Sequence, residues 1–167
     1  NEEIFKYIKE EALKATLAMG KELGECPDMV GTGRRNSHML AIAPNANSSI
    51  LCSTSPSIEP LKANAYTHRT RAGSHLIKNT YLEEELEKLG QNTEKVWTSI
   101  ITNGGSVQHL DFLPDSLKEV FKTAIEIDQM RLIEQAGVRQ KYLCQGQSLN
   151  IYFAAGAPKK ILHEVHY

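Results

Sequence analysis

The stretch MLAIAPNANSS, residues 39–49, decides the fold class, because a short apolar run leads directly into a proline and a polar turn. Apolar residues bounded by chain breakers over so short a length predict a buried strand, 39–43, rather than a helix. The turn that follows contains no glycine, which predicts a structured polar turn. Ser48 or Ser49 is expected to cap a short helical turn that runs towards Pro56.

Helical segments surround this strand and turn. Residues 2–23 carry apolar side chains at helical spacing, which predicts an amphipathic helix that ends at Gly24. Thr80 and Glu83 have the spacing of a capping box and predict the start of a helix that stops at Gly90.

The middle of the chain is predicted to hold two further helices. Asn92 is expected to cap the first, which ends near Asn103. Pro114 is expected to start the second, a long helix with one continuous apolar face that ends at Gly137.

The last part of the chain is predicted to contain a strand and a helix. Residues 148–154 alternate apolar and polar side chains, which is typical of a strand with unlike faces. Pro158 is expected to begin the final helix. Helices separated by short strands indicate a helix-rich α/β fold.

Composition excludes several classes of protein. The chain has 167 residues and a formal net charge of -1, so bulk electrostatics favour neither nucleic acid nor an anionic membrane as a partner. No apolar run reaches the length that spans a bilayer, and residues 1–20 are not expected to form a signal peptide, because charged residues interrupt each apolar stretch. Its three cysteines are widely spaced and odd in number, which argues against a disulfide framework. These features predict a cytoplasmic protein.

The polar turn is the strongest candidate for chemistry. Unpaired backbone N–H groups at the junction of a strand and a helix can bind an anion, and short hydroxyl and amide side chains add donors. The alternative is a helix cap that binds nothing, and the local pattern alone favours this alternative because such caps are common. His163 and His166 do not have the HExxH spacing, so we expect no metal site there.

Several segments form a recognisable series along the chain. They are RNS 35–37, AIAP 41–44, SIEP 57–60, NAYT 64–67 with Arg69 and Gly73, NGGSVQ 103–108, PD 114–115 with LK 117–118, and QGQSLN 145–150. Taken together and in this order, they resemble the large (α, catalytic) subunit of class I ribonucleotide reductase, and the similarity covers most of the chain from about residue 34 onward.

This resemblance implies that residues 1–167 are one piece of the C-terminal part of a ten-stranded α/β barrel. It implies reduction of ribonucleoside diphosphates at the 2′ carbon by a thiyl radical, for the synthesis of DNA precursors. The family's loop for the substrate diphosphate maps to Pro44, Asn45, Ala46, Asn47, Ser48 and Ser49. The family role agrees with the chemistry of the turn and favours phosphate binding over a simple cap.

The resemblance also implies partners. No cofactor is expected to bind this chain directly, because a small partner subunit would carry the metal-radical cofactor and send the radical through a relay of side chains. The expected partners are a ribonucleoside diphosphate, the remainder of the large subunit and this small subunit, in an oligomer without nucleic acid or membrane. The catalytic cysteines and the effector sites are expected upstream of Asn1, so the chain alone is expected to be inactive.

The chain departs from the family pattern in two places, and two other classes of protein stay open. Asn45 and Asn47 stand where family members usually have Thr or Ser, and the loop from Gly24 to Arg34 is short, as in compact variants from phage genomes. One alternative is a helical interaction module that binds partner helices through residues 2–23 and 115–136. The other is a different radical or phosphate-binding α/β enzyme.

Overall fold

Seven α-helices, two short 3-10 helices and one β-hairpin make up the secondary structure of the chain. A computed structural model describes residues 1–167. None of the helices combines the length and the apolar character that a membrane span requires. The helices are α1 (Glu2–Leu23), α2 (Ala46–Leu51), α3 (Thr80–Lys88), α4 (Glu94–Thr102), α5 (Asp115–Val120), α6 (Gln129–Gln140) and α7 (Lys159–His166), and the strands are β1 (Ala65–Thr70) and β2 (Gly73–Lys78).

The chain divides into two compact units. The first contains residues 1–44 and 130–150, and the second contains residues 45–129 and 151–167. The predictions for α1 and α7 are confirmed within a residue: α1 ends at Gly24, whose φ of 84° stops the helix, and α7 follows Pro158.

In the first unit, the loop that follows α1 folds back onto the helix. The Arg35 amide donates to the Thr16 carbonyl (3.1 Å), and the Asn36 amide donates to the Thr16 hydroxyl (2.9 Å). Gly20 lies one turn further along α1, directly against the backbone of Gly33. Close contact between a helix and a loop backbone requires a residue without Cβ at this point.

The two predicted strands of the sequence are not strands in the structure. Residues 39–43 and 144–148 run side by side as extended chain, but only Ile42 and Gln147 form a parallel β-bridge. The Ser148 amide donates to the Ile42 carbonyl (2.7 Å), and residues 149–154 form no regular strand. The apolar run at 39–43 therefore has a neighbouring segment but lacks the pairing along its whole length that a regular strand needs, and the alternation at 148–154 did not give a strand.

The hydrophobic core lies in the second unit. Leu82, Leu86 and Ile100 are fully buried on α3 and α4. Trp97 is buried beside them, and its indole N–H donates to the Asn92 side chain (2.6 Å). Further core residues are Ala65, Val96, Val107, Leu110, Leu113 and Phe121. Helices α3 and α4 confirm the helices that were predicted for this region, and their apolar faces form this core.

The hairpin of β1 and β2 was not predicted from the sequence. The strands pair antiparallel from Ala65 with Lys78 to Thr70 with Gly73, around a two-residue turn. Most of the side chains on the hairpin are exposed. Its strands therefore lack the apolar alternation by which a half-buried strand is recognised in a sequence.

Two predicted helix caps are wrong by one residue. Asn79, not Thr80, caps α3 and accepts a hydrogen bond from the Tyr81 amide. Thr93, not Asn92, caps α4. Asn92 is instead the partner of the Trp97 indole. Neighbouring Asn and Thr residues have similar capping preferences, and tertiary contacts decide which of them is used.

The predicted long helix after Pro114 is broken. α5 ends at Val120, a 3-10 turn follows at 124–126, and α6 begins at Gln129. The Ala124 amide donates to the Leu61 carbonyl (2.8 Å), a contact with a distant segment that interrupts the helical hydrogen bonds. Gly137 lies inside α6 and does not end it.

The 3-10 turn is stabilised by the carboxylate of Glu126. Burial raises the pKa of this carboxyl, but hydrogen bonds from the Ser106 hydroxyl and from the amide and hydroxyl of Thr123 outweigh burial, so that the pKa lies below its ordinary value. These hydrogen bonds stabilise the charged form and join the turn to the loop of Ser106.

We expect Glu126→Gln to reduce the free energy of unfolding by about 1 kcal/mol at pH 7, since the carboxylate is partly exposed and screened. A lowered folded-state pKa adds stability above the ordinary value of 4.5, and this stability is lost as the pH falls through the folded-state pKa. Urea unfolding at pH 7 and at pH 3 should therefore show a smaller difference between variant and wild type at pH 3. An equal difference at both pH values would contradict this account.

Candidate functional site

The predicted polar turn is the first turn of helix α2. Pro44 precedes it, and Asn45 is the N-cap residue, with φ -128° and ψ 53°. The prediction that Ser48 or Ser49 caps this helix is wrong, because both residues lie within it. The short helical turn itself is confirmed over 46–51.

Hydrogen bonds fix the two ends of this turn. The Asn45 amide donates to the Pro56 carbonyl (2.7 Å), and the Ser49 amide donates to the Asn45 carbonyl (2.9 Å). The buried Ser49 hydroxyl donates to the Ala46 carbonyl (2.8 Å), so it is engaged within the helix. Of the predicted side-chain donors within α2, Asn47 and Ser48 are exposed.

The amides of residues 46–48 lie between these two fixed points. As the first three N–H groups of an α-helix, they have no carbonyl partner within the helix. They lie in consecutive positions and share the positive end of the helix dipole. The turn therefore presents backbone donors together with the exposed Asn47 and Ser48 side chains, a combination that suits an anion.

A cavity of about 710 Å³ lies beside α2 in the second unit. Ala46, Ser49 and Ile50 form the part of its wall that α2 contributes. The opposite parts come from the segment 53–64 and from the hairpin with the residues that follow it. Two of the six predicted site residues, Ala46 and Ser49, thus line the cavity, whereas Pro44, Asn45, Asn47 and Ser48 do not.

Charged groups on the cavity wall were not predicted as site residues. They are Glu59, Lys62 and Lys78. The Lys78 ammonium pairs with Glu83 (2.7 Å) and lies 4.8 Å from the centre of the Trp97 ring. This lysine is therefore occupied by partners within the protein.

Glu59 is the least exposed charged side chain on this wall, with 8% of its surface accessible. The Tyr152 hydroxyl donates to its carboxylate (3.1 Å). In the sequence, Glu59 belongs to the segment SIEP, which supported the family resemblance without suggesting a role. Its distance of 93 residues from Tyr152 leaves no local signal for the pair.

The other residues considered for chemistry do not converge. His163 stacks on Tyr167, with 4.6 Å between ring centres, and His166 contacts the Leu162 carbonyl. No group of three His, Cys, Asp or Glu side chains is arranged to hold a metal ion. All three cysteines are free, and the Met39 and Leu40 amides lower the pKa of the Cys144 thiol.

Residues 27–167 match the family model of the ribonucleotide reductase barrel domain. The chain belongs to this family. Within it, the chain is 57% identical over 98% of its length to a candidate ribonucleoside-diphosphate reductase large subunit of Frog virus 3, of which it covers 29%. It is 45% identical over 99% of its length to the large subunit of Invertebrate iridescent virus 3, of which it covers 27%.

A solved structure extends this family relationship to the fold. The α subunit of the class Id ribonucleotide reductase of Actinobacillus ureae matches 99% of the chain with a TM-score of 0.88 and 46% identity. The chain covers 30% of that subunit and less than a third of the two viral relatives. The expected fold class, a helix-rich part of the reductase barrel, is therefore confirmed.

Proposed function

We propose that this chain is part of a ribonucleoside-diphosphate reductase large subunit and contributes the turn that binds the substrate diphosphate. The observation that carries the proposal is the first turn of α2, where three consecutive amides have no partner within the helix. The family membership supplies the reaction class, the reduction of ribonucleoside diphosphates to deoxyribonucleotides by radical chemistry.

A turn with several donors can bind a diphosphate more closely than a single charged side chain can. Two phosphoryl groups carry many acceptor oxygens at short distances, and consecutive amides together with small side chains can approach them closely. Ala46 offers only its backbone N–H, whereas Asn47 and Ser48 can add one side-chain donor each. Ser49 offers no further donor, because its amide is bonded to the Asn45 carbonyl and its hydroxyl to the Ala46 carbonyl.

Such a turn would contribute by positioning the substrate. It contains no group that transfers a proton, an electron or a hydrogen atom at the 2′ carbon. Fixing the phosphates holds the ribose in one place, and the binding energy gained in this way is shared by the ground state and the transition state.

The partners of the chain follow from the same proposal. The remainder of the large subunit would supply the radical cysteine, and a small subunit would supply the metal-radical cofactor, within a cytoplasmic oligomer. Exposed apolar side chains on α1, Ile4 at 61% and Tyr7 at 64%, fit a surface that the remainder of the subunit covers. The alternative of a helical interaction module predicts the same exposure, but it gives no role to the anion-binding turn.

The experiment that tests this proposal removes the two side-chain donors from the turn. In the full-length large subunit reconstituted with its small subunit, Asn47→Ala with Ser48→Ala should raise KM for the diphosphate roughly threefold to tenfold, with kcat nearly unchanged. Steady-state kinetics measure both constants. Loss of binding that is equal in the ground state and the transition state gives this pattern.

Ser116→Ala is the matched control. Ser116 is also exposed in the first turn of a six-residue helix, α5, and is remote in sequence from α2. Its removal should leave KM unchanged. If the double variant also had the KM of the wild type, and crystals soaked with the diphosphate showed no phosphate at the amides of residues 46–48, the proposal would be wrong.

A further inference from the structure

Glu59 is a buried carboxylate on the cavity wall for which the proposed function provides no role. A buried charge destabilises a protein unless hydrogen bonds or opposite charges compensate it. The Tyr152 hydroxyl supplies such a bond to the carboxylate. The Lys62 ammonium lies 5.4 Å from the centre of the Tyr152 ring, which places a positive charge near the pair.

Tyr152 is held in place by contacts other than the bond to Glu59. Its amide donates to the side-chain oxygen of the buried Gln129 (2.8 Å). The side-chain nitrogen of Gln129 donates in turn to the carbonyls of Ala124 (2.8 Å) and Ile127 (2.6 Å). The Gln129 side chain thus bonds the Tyr152 backbone to the carbonyls of Ala124 and Ile127. This gives Tyr152 a fixed position, from which its hydroxyl can hold Glu59.

The segment 56–61 connects Glu59 to the anion-binding turn. At one end, the Pro56 carbonyl accepts the amide hydrogen of Asn45, the N-cap of α2 (2.7 Å). At the other end, the Leu61 carbonyl accepts the amide hydrogen of Ala124 (2.8 Å). Glu59 lies between these two points, so its bond to Tyr152 restrains the segment against which α2 begins.

We propose that Glu59 and Tyr152 are a positioning pair that fixes the anion-binding turn by holding the segment 56–61. This inference rests on the proposed function of the turn. Neither residue is required to touch the substrate: the pair acts through Pro56 and Asn45. Loosening it would let the start of α2 move, and the amides of residues 46–48 would no longer converge on one place.

The test compares three variants of the pair in the reconstituted full-length enzyme. Tyr152→Phe removes only the hydroxyl, and Glu59→Ala removes the acceptor. Each should raise KM for the diphosphate roughly threefold to tenfold, with kcat within about twofold of the wild type. Glu59→Gln keeps an oxygen that can accept from Tyr152, so it should restore most of the wild-type KM.

Tyr142→Phe is the matched control, because the Tyr142 hydroxyl also donates to a glutamate, Glu2 (2.9 Å), but at an exposed position in the first unit. Its KM should equal that of the wild type. If Tyr152→Phe and Glu59→Ala lower the unfolding temperature but leave KM unchanged, the pair is structural only and the inference is overturned.

The Asn47→Ala, Ser48→Ala variant separates failure of this inference from failure of the proposed function. If that variant raises KM and the two pair variants do not, only the inference is wrong. If that variant leaves KM unchanged and soaked crystals show no phosphate at the amides of residues 46–48, the turn does not bind the diphosphate and the inference falls with it.

Discussion

Replacing Gly105 by alanine is expected to destabilise the second unit by about 3 kcal/mol or more. A Cβ at this position would lie 2.6 Å from the Ala63 Cα and 3.0 Å from the Asn64 amide nitrogen, and closer still to the Ala63 Cβ. The φ of Gly105 is also +85°, which an L-residue adopts only with strain. Since two of these atoms belong to the backbone and the Ala63 Cβ is bonded directly to it, they cannot move aside as the end of a flexible side chain would.

The neighbours of Gly105 explain why this clash cannot be relieved locally. Its carbonyl accepts hydrogen bonds from the amide and from the side chain of the buried Asn64, each at 3.0 Å. The Asn64 side chain also donates to the Phe121 carbonyl (2.7 Å). A shift of Gly105 would therefore break hydrogen bonds that join three segments of the core.

Gly104→Ala is the control for backbone strain. Gly104 has φ +65°, but no atom lies within 4 Å of the place where its Cβ would be. We expect a loss of about 1 kcal/mol from the left-handed conformation alone. Thermal or urea unfolding of the intact polypeptide measures both variants. Equal losses for Gly104→Ala and Gly105→Ala would show that contact with Ala63 is not the cause.

The second large effect is expected at Gly20 in the first unit. A Cβ on Gly20 would lie 2.9 Å from the carbonyl carbon of Gly33, and closer still to its oxygen. Gly20→Ala should therefore separate the loop from α1 and reduce the free energy of unfolding by about 3 kcal/mol. This loss outweighs the gain of up to about 1 kcal/mol that alanine normally brings to the interior of a helix.

We expect the opposite effect on stability for Gly137→Ala in the same unit. Gly137 lies inside α6, and no atom lies within 4 Å of a Cβ placed there. Alanine should stabilise the protein by about 0.5 to 1 kcal/mol, because it restricts the unfolded chain. Unfolding curves of both variants test the explanation: a stabilising Gly20→Ala would contradict the close contact with Gly33.

Local patterns predicted the elements whose hydrogen bonds and apolar faces lie within one segment. The helix over 2–23 and its end at Gly24 follow from periodicity and from a glycine that can adopt positive φ. The short helical turn after Pro44 follows from small polar residues next to an apolar run. The candidate site was located by the same local chemistry and by motifs in family order.

Elements that depend on distant contacts were predicted incorrectly or not at all. The helix after Pro114 is interrupted because the Ala124 amide bonds to Leu61, which is more than sixty residues away in the chain. Residues 39–43 do not form a regular strand because a single bridge, from Ile42 to Gln147, pairs them with their neighbour. Neither partner can be recognised from the residues of the segment itself.

The sequence by itself determined the family, the amphipathic helices and the donor-rich turn, because each depends on residue types at fixed short spacing. Only the tertiary structure decided which residues cap the helices, where the long helix breaks and which charged group faces the cavity. Glu59 and Tyr152 form a pair only after the chain has folded, and Gly105 must lack a Cβ only because Ala63 lies against it. Contacts of this kind depend on packing between segments that are far apart in the chain.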